Sequence, residues 1–372
     1  MIKLREVEEK DLLPLAEFLP RGFPFTTKDF WLARFVMWWT DNPAYTPEIP
    51  RGWVLEKDTA LVGFIGNIPV KFLVDGEERI ASSSSSWYVD PSVRGMSSLR
   101  LFNEFMKQKS ASLFLFKAED EQVMKILSRY HFEEYILPKS KKEYVYVINR
   151  KKVDFNFSKF IFNKKIPKLT DLPELYKRAG LLIFGYLFQK PVVQETVTPQ
   201  DAYTTSLCTS CDDAFFRISE PVLNRCNVVL SHDTRTLNWL YFSSARWFTR
   251  VVIQCRRSRD TTLAGYMVFD IERNRPSKAG SMRLVEMCIV DTDPRVLSSL
   301  TACAIETGKQ NNAALLVVFA NSPETEAYFR STFFMRRTAP HYRYLRFSDT
   351  PEMRAVREHH GKVCPSLIYP PQ

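Results

Sequence analysis

The run Arg94-Gly95-Met96-Ser97-Ser98-Leu99 joins a cation, a flexible residue and small hydroxyl side chains just ahead of an apolar-periodic segment, Arg100-Leu101-Phe102-Asn103-Glu104-Phe105-Met106. The chemistry these types suit is anion binding. A helix start leaves its first backbone N–H groups without partners, and the helix dipole adds partial positive charge there. A diphosphate can take up those groups. The preceding Trp87-Tyr88-Val89-Asp90-Pro91-Ser92-Val93 reads as a buried strand and a short turn, so the whole is a strand–turn–helix. An ordinary structural turn has the same pattern, and the surrounding elements must decide between the two.

Those elements form an ordered series. Ile2-Lys3-Leu4-Arg5 reads as a first strand and Glu8 to Leu12 as a helix start. Trp53 to Glu56 and Leu61 to Val70 read as strands around a turn at Lys57-Asp58-Thr59, and Val70 to Val74 as a third strand before the hairpin signal Asp75-Gly76. The serine run Ser82 to Ser86 leads into the strand that enters the motif. Ser112 to Phe116 is a short apolar run suited to a core strand. Val123, Met124, Ile126, Leu127 and Tyr130 recur at helical spacing, His131-Phe132 closes that helix, and Tyr144 to Ile148 reads as the last strand of the first half.

Residues 87–99, in this order of elements, resemble the acyl-CoA-binding motif of the GCN5-related N-acetyltransferase (GNAT) superfamily: Arg or Gln, two residues, Gly, one residue, then Gly or Ala. Arg94 fills the first position. Ser97 stands where the family places its first required Gly, and Leu99 at the Gly or Ala position. The resemblance implies an acetyl-CoA or other acyl-CoA co-substrate held by Val89, Arg94, Gly95, Met96, Ser97, Ser98 and Leu99. Asp120, where the family often has Asn, would touch the cofactor or cap the next helix. The family's frequent acid, a Tyr in that helix, falls here at Leu127, which cannot donate a proton; the catalytic residues are unassigned.

The second half reads as a worn copy of the first. Leu263-Ala264-Gly265-Tyr266 parallels Leu61-Val62-Gly63-Phe64, Met282 to Val290 is the next strand, and Asp293-Pro294 opens a helix. Ala313 to Phe319 and Glu324 to Phe329 continue as strand and helix. The turn Pro294 to Leu300 has no glycine, and Phe329 stands at the place of the acid. A repeat of about 200 residues argues for two like domains. The expected fold is therefore α/β with mixed sheets: two tandem acyl-CoA N-acyltransferase-like domains, each a mostly antiparallel twisted sheet flanked by helices. The expected division is 1–150, a basic and apolar linker 151–190, and a C-terminal domain 191–372 without the CoA motif.

Composition fits this reading. The chain has 372 residues, 45% hydrophobic and 25% charged, with 28 Phe and 15 Tyr to fill two cores. The absence of a membrane-length apolar run, of a signal peptide and of any paired-cysteine framework suggests a cytoplasmic protein with reduced thiols. Charge is uneven. Residues 139–168 carry ten Lys and Arg against Glu143 and Asp154, in a chain of net charge +10. This is a solvated linker or a surface for an acyl carrier protein, an anionic glycan or an anionic membrane; nucleic acid is disfavoured because no nucleic-acid motif is present. The apolar run Leu181 to Phe188 that follows reads as a packed linker helix, or else a helix lying on a membrane surface.

Other candidates are weaker. Cys208-Thr209-Ser210-Cys211 has metal or redox spacing but no second pair for zinc. His359-His360 lies in a polar C-terminal segment. His232-Asp233 precedes Thr236-Leu237-Asn238-Trp239-Leu240-Tyr241, similar to an Asp…Leu-x-Trp-Arg-Tyr segment of tandem relatives, with Leu240 in place of the Arg. Alternate hydroxyls of Ser82 to Ser86 would bind a polar acceptor, or simply give a strand one wet face. Three functions follow from the resemblance: an acyltransferase acting on an amine or hydroxyl of a small-molecule or glycan acceptor, a non-catalytic scaffold with a damaged cofactor loop, and an aminoacyl-transferase-like enzyme using charged transfer RNA.

If the basic junction meets an acidic partner, neutralising Lys141, Lys142, Lys151 and Lys152 together flattens the salt dependence of that contact and leaves stability nearly unchanged. Titration against acyl carrier protein and anionic vesicles at two ionic strengths checks this; equal binding before and after leaves the solvated linker.

Overall fold

The computed structural model describes residues 1–118, 120–134, 142–149, 202–223, 227–243, 248–272, 280–289, 293–320, 322–332, 335–338 and 343–358. In chain order its elements are β1 (Ile2–Glu6), α1 (Leu12–Phe18), α2 (Lys28–Phe35) continuing into a π-helical turn Val36–Thr40, β2 (Gly52–Lys57), β3 (Ala60–Val74), β4 (Glu77–Val89), α3 (Met96–Lys107), β5 (Leu113–Lys117), α4 (Glu121–Arg129), β6 (Glu133–Glu134) and β7 (Lys142–Val147). There follow β8 (Tyr203–Cys208), α5 (Asp213–Leu223), β9 (Val228–Leu230), α6 (Thr234–Phe242), β10 (Phe248–Arg257), β11 (Leu263–Glu272), β12 (Ser281–Ile289), α7 (Pro294–Gln310), β13 (Leu315–Phe319), α8 (Pro323–Thr332), β14 (Met335–Thr338), β15 (Arg343–Phe347) and α9 (Pro351–Glu358). The apolar run 181–188, His359-His360 and the basic junction apart from 142–149 lie outside the described residues.

Two compact units result: Met1–Tyr135 with Glu220–Arg246 and Tyr342–Gln372, and Ile136–Ser219 with Trp247–His341. The sheet of the first unit runs β1-β2-β3-β4-β5-β15-β6, with β9 also paired to β3. That of the second runs β14-β7-β13-β12-β11-β10-β8. In each sheet one pair is parallel, β4 with β5 and β12 with β13, and the other pairs are antiparallel.

The strand at 144–148, expected to close the first half, lies in the second sheet between β13 and β14. Its place in the first sheet is taken by β15 from near the C-terminus, which pairs with β5 and β6. The physical reason is the same in both sheets. β5 and β13 are almost uniformly apolar and buried, and a strand buried on both faces needs a ladder partner on each edge. Parallel neighbours supply one edge; the exchanged strands supply the other, with Tyr144, Val145 and Val147 buried in the second unit and Leu345 in the first.

Local signals are realised closely. Asp75 and Gly76 both have positive φ, +50° and +84°, as a tight hairpin turn demands. The two strands expected at 61–70 and 70–74 are one strand, β3, because Pro69 interrupts nothing: it lies opposite Ser82 within a continuous ladder to β4. Gly63 and Gly265 occupy equivalent places. Gly63 lies between Leu55 and Val89, and Gly265 between Cys255 and Ile289. A β-carbon at Gly63 would stand 2.8 Å from Leu55 Cδ1 and 3.2 Å from Leu101 Cδ1 of α3; at Gly265 it would stand 3.1 Å from the Cys288 carbonyl and 3.2 Å from Val296 Cγ1 of α7. Each glycine lets a helix settle directly on its sheet.

Beneath α3 the first core gathers Trp53, Leu55, Ile65, Val89, Leu101, Phe102, Phe105, Phe114, Phe116, Leu127 and Phe132. Gly63→Ala should overpack the Leu55–Leu101 contact and lower stability by about 1–3 kcal/mol. Urea unfolding followed by tryptophan fluorescence measures this, and an unchanged midpoint would show that α3 is not seated on Gly63.

Candidate functional site

The site in the first unit begins where β4 leaves β5. Ala81, Ser82 and Ser83 pair with Leu113, Phe114 and Leu115, and from Ser85 onward no described residue of β4 is in register with a strand on that edge. A bulge reinforces the separation. Phe64 faces Tyr88 and Gly66 faces Ser85, so Ser86 and Trp87 together oppose Ile65, and Ser86 has φ +56°. The result is a fork in the sheet. On the α3 side, Trp87 stacks on Phe102 at 5.2 Å and meets Phe116 of β5 edge-on at 6.1 Å. On the opposite side, Tyr88 lies against Phe18 and Phe23, so close to Gly22 that a β-carbon there would come within 2.4 Å of the ring.

At the end of the open edge is the predicted cradle. Asp90 caps the turn, accepting from the Ser92 N–H and hydroxyl, and these bonds hold its carboxyl below the usual range. Arg94 turns back, donating from Nε to the Val89 carbonyl at 2.9 Å, with its guanidinium 5.9 Å over the Tyr88 ring. Gly95 has φ +92° and open space where a β-carbon would sit. Not every N–H group of the helix start is left unpartnered: Ser98 and Leu99 donate to the Gly95 carbonyl, at 3.0 and 3.4 Å, because the first turn tightens. The N–H groups of Met96 and Ser97 have no protein partner. Met96 is 73% exposed, Ser97 is buried, and Leu99 is half-buried outside the core beneath α3.

The far end of α3 is fixed by a buried polar network. Gln108 donates to Ser82 Oγ at 2.7 Å, Ser82 donates to Asn67 Oδ1, and Asn67 Nδ2 reaches Gln108 Oε1 at 3.0 Å and the Pro50 carbonyl at 2.7 Å. The serine run is thus divided between tasks. Ser82 is structural, whereas Ser83 Oγ, fully buried at the vertex of the fork, has no hydrogen-bond partner. No pattern in the sequence separates these two adjacent serines.

The remaining candidates sort by placement. Asp120 Oδ1 accepts from Gln122 N and Val123 N, at 2.8 and 3.2 Å, and is the N-cap of α4. Leu127 is fully buried on the inner face of α4. Tyr130, the last of the residues at helical spacing, donates its hydroxyl to Asn103 Oδ1 and packs edge-on against Phe102 at 4.7 Å, tying α4 to α3. His232 is buried and held neutral, its pKa pushed down to about 3 by burial. Its neighbour Asp233 caps α6, accepting from Thr236 N at 2.9 Å and Ser231 Oγ at 2.9 Å. Burial raises the thiol pKa of both Cys208 and Cys211. No group of three or more metal-ligating side chains exists among the described residues.

The second unit repeats the fork but not the cradle. Ser281 to Arg283 pair with Leu315 to Val317, and β12 then runs on past them. Here the helix start is already occupied. Asp293 Oδ1 accepts from the Arg295 N–H at 2.9 Å, and Oδ2 accepts from Arg295 Nε at 2.9 Å and the Tyr203 hydroxyl at 3.2 Å. The Arg295 side chain, first among these donors, holds the Asp293 carboxyl at about 2. Phe329, at the place of the acid, is fully buried.

Known structures share this architecture. A GCN5-related N-acetyltransferase from Anabaena variabilis aligns with a TM-score of 0.55 at 9% identity, over 94% of this chain and 73% of that one. A probable N-acyltransferase from Enterococcus faecalis gives 0.56 at 10% identity, over 94% and 73%. Saccharomyces cerevisiae N-myristoyltransferase with bound myristoyl-CoA gives 0.51 at 12% identity, over 93% and 82%. No protein-family profile matches the chain, nor does any curated protein. The chain shares the mixed-sheet α/β fold of these structures.

If α3 holds a diphosphate, Ser98→Glu should weaken CoA binding by roughly tenfold or more through like-charge repulsion. Thermal stability should hold or rise, because an acid in the first turn suits the helix dipole. Leu99→Ala, outside the core, should cost under about 1 kcal/mol and tighten CoA. Calorimetry on the three proteins decides; unaltered affinity in Ser98→Glu removes α3 as the cradle.

Proposed function

We propose that the chain is an acyl-CoA-dependent acyltransferase whose first unit binds the thioester. The observation that carries this is the conjunction of a β4 edge with no strand beside it from Ser85 to Tyr88 and a start of α3 where Met96 and Ser97 N–H have no protein partner. A diphosphate fits the second feature. An extended amide-bearing arm fits the first, since an unpaired strand edge offers backbone donors and acceptors in register. Arg94 supplies positive charge beside the cradle, offset in part by Asp90.

The co-substrate brings an activated acyl group, and the chain's own part is to bind, orient and polarise it. An unpaired N–H on the open edge of β4 would stabilise negative charge developing on the thioester oxygen. The acceptor amine or hydroxyl attacks the carbonyl carbon, the carbon–sulfur bond breaks, and the thiolate takes a proton. Leu127 and Phe329 supply none, and Tyr130 is engaged with Asn103, so this reading leaves that proton to the acceptor or solvent. The second unit, with Asp293 and Arg295 filling its helix start, is assigned no thioester.

A second reading, a scaffold that keeps the fold without turnover, draws on Leu99 at the cradle and the missing acid. Titration with acetyl-CoA, longer acyl-CoAs and free CoA separates the two. The transferase reading expects one saturable site per chain, with stabilisation of about 2.7 kcal/mol at a hundredfold excess over Kd. Two equivalent sites would contradict the assignment to the first unit, and absence of any shift would favour the scaffold.

A further inference from the structure

Away from the fork, the first unit has a cavity of about 460 Å³ lined by Asp41, Pro43, Thr234, Arg235, Asn238, Trp239, Phe242 and Ser243. It lies where the π-helical turn ends and along one face of α6, and its size is that of a small-molecule site. Its charges are unusual in their arrangement. Asp41 and Arg235 line the same cavity, both exposed, yet among the described residues neither side chain has an ion-pair or hydrogen-bond partner, including each other. The neighbouring carboxylate, Asp233, is by contrast fully engaged in capping α6.

The lining mixes polar side chains with the apolar Pro43, Trp239 and Phe242, and two of its members are held in place. Trp239 is buried, and its indole N–H donates to the Met37 carbonyl at 2.7 Å, which locks α6 to the π-helical turn. Asn238 Nδ2 donates to the Thr234 carbonyl at 2.8 Å and is held along the helix. The cavity therefore presents one available carboxylate, one available guanidinium and an aromatic wall on rigid elements. A carboxylate left open calls for an ammonium, and a guanidinium for a carboxylate. The geometry points to a binding site for a free amino acid with an apolar side chain. Asp41 takes the ammonium, Arg235 the carboxylate, and Trp239, Phe242 and Pro43 the side chain. This site is independent of the acyl-CoA reading.

The test is calorimetric titration of the full chain, without acyl-CoA, using L-phenylalanine, N-acetyl-L-phenylalanine and L-phenylalaninamide. The zwitterion should bind, and each blocked form should bind roughly tenfold weaker or less. Asp41→Asn should erase the preference for L-phenylalanine over its N-acetyl form, and Arg235→Gln the preference over the amide. Both positions are exposed, and unchanged thermal unfolding of the variants confirms their fold. Equal binding of the three probes, or no saturable binding of L-phenylalanine at roughly 10 mM, overturns the proposal. So does full retention of both preferences in the variants.

Discussion

Only three residues of β4 pair with β5, and from that short parallel ladder the rest of the first unit's site takes its form. From Ser85 onward no strand stands in register on that edge, and a buried backbone group without a partner is costly unless something else supplies one. The bulge at Ser86 turns β4 aside, and Trp87 props the two arms through Phe102 and Phe116. Below the vertex, Asn67, Ser82 and Gln108 lock the end of α3 to the sheet. The strand is thus held open by packing on one side and by a polar network at its base. Such an arrangement presents a ready-made edge to an extended ligand.

The second unit shows that a fork alone does not make a cradle. Its β12 separates from β13 after the same three-residue pairing. The difference lies at the helix start. Gly95 has no side chain and a positive φ, so the first N–H groups of α3 face outward, whereas Asp293 folds over the start of α7 and is itself bound by Arg295 and Tyr203. A carboxylate held this way occupies the place an anion would take. One fold therefore carries two electrostatic outcomes, separated by the residue at the N-cap.

The exchange of closing strands has a consequence for folding. The first sheet is completed only by residues 343–347, and the second by residues 142–147. Each pairing spans a long stretch of chain, and loop-closure entropy must be met before such contacts reward it. Neither sheet is complete within one half of the sequence, so the natural division of the chain follows strand pairing rather than chain order.

The sequence by itself determined what acts over a few residues. The strand–turn–helix at 87–107, the Asp75-Gly76 turn, the caps at Asp120 and Asp293 and the matched glycines Gly63 and Gly265 were all legible, because turn geometry, capping and close helix–sheet contact each select residue types locally. The tertiary structure alone decided which sheet received residues 142–147, that Ser82 is committed while Ser83 is not, and that only Met96 and Ser97 keep open N–H groups. It also placed Asp41 and Arg235 in one cavity, although nearly two hundred residues separate them in the chain. Strand pairing, side-chain networks and cavities join residues by position in space, and two strands with the same apolar pattern compete equally for an open edge until the whole sheet is assembled.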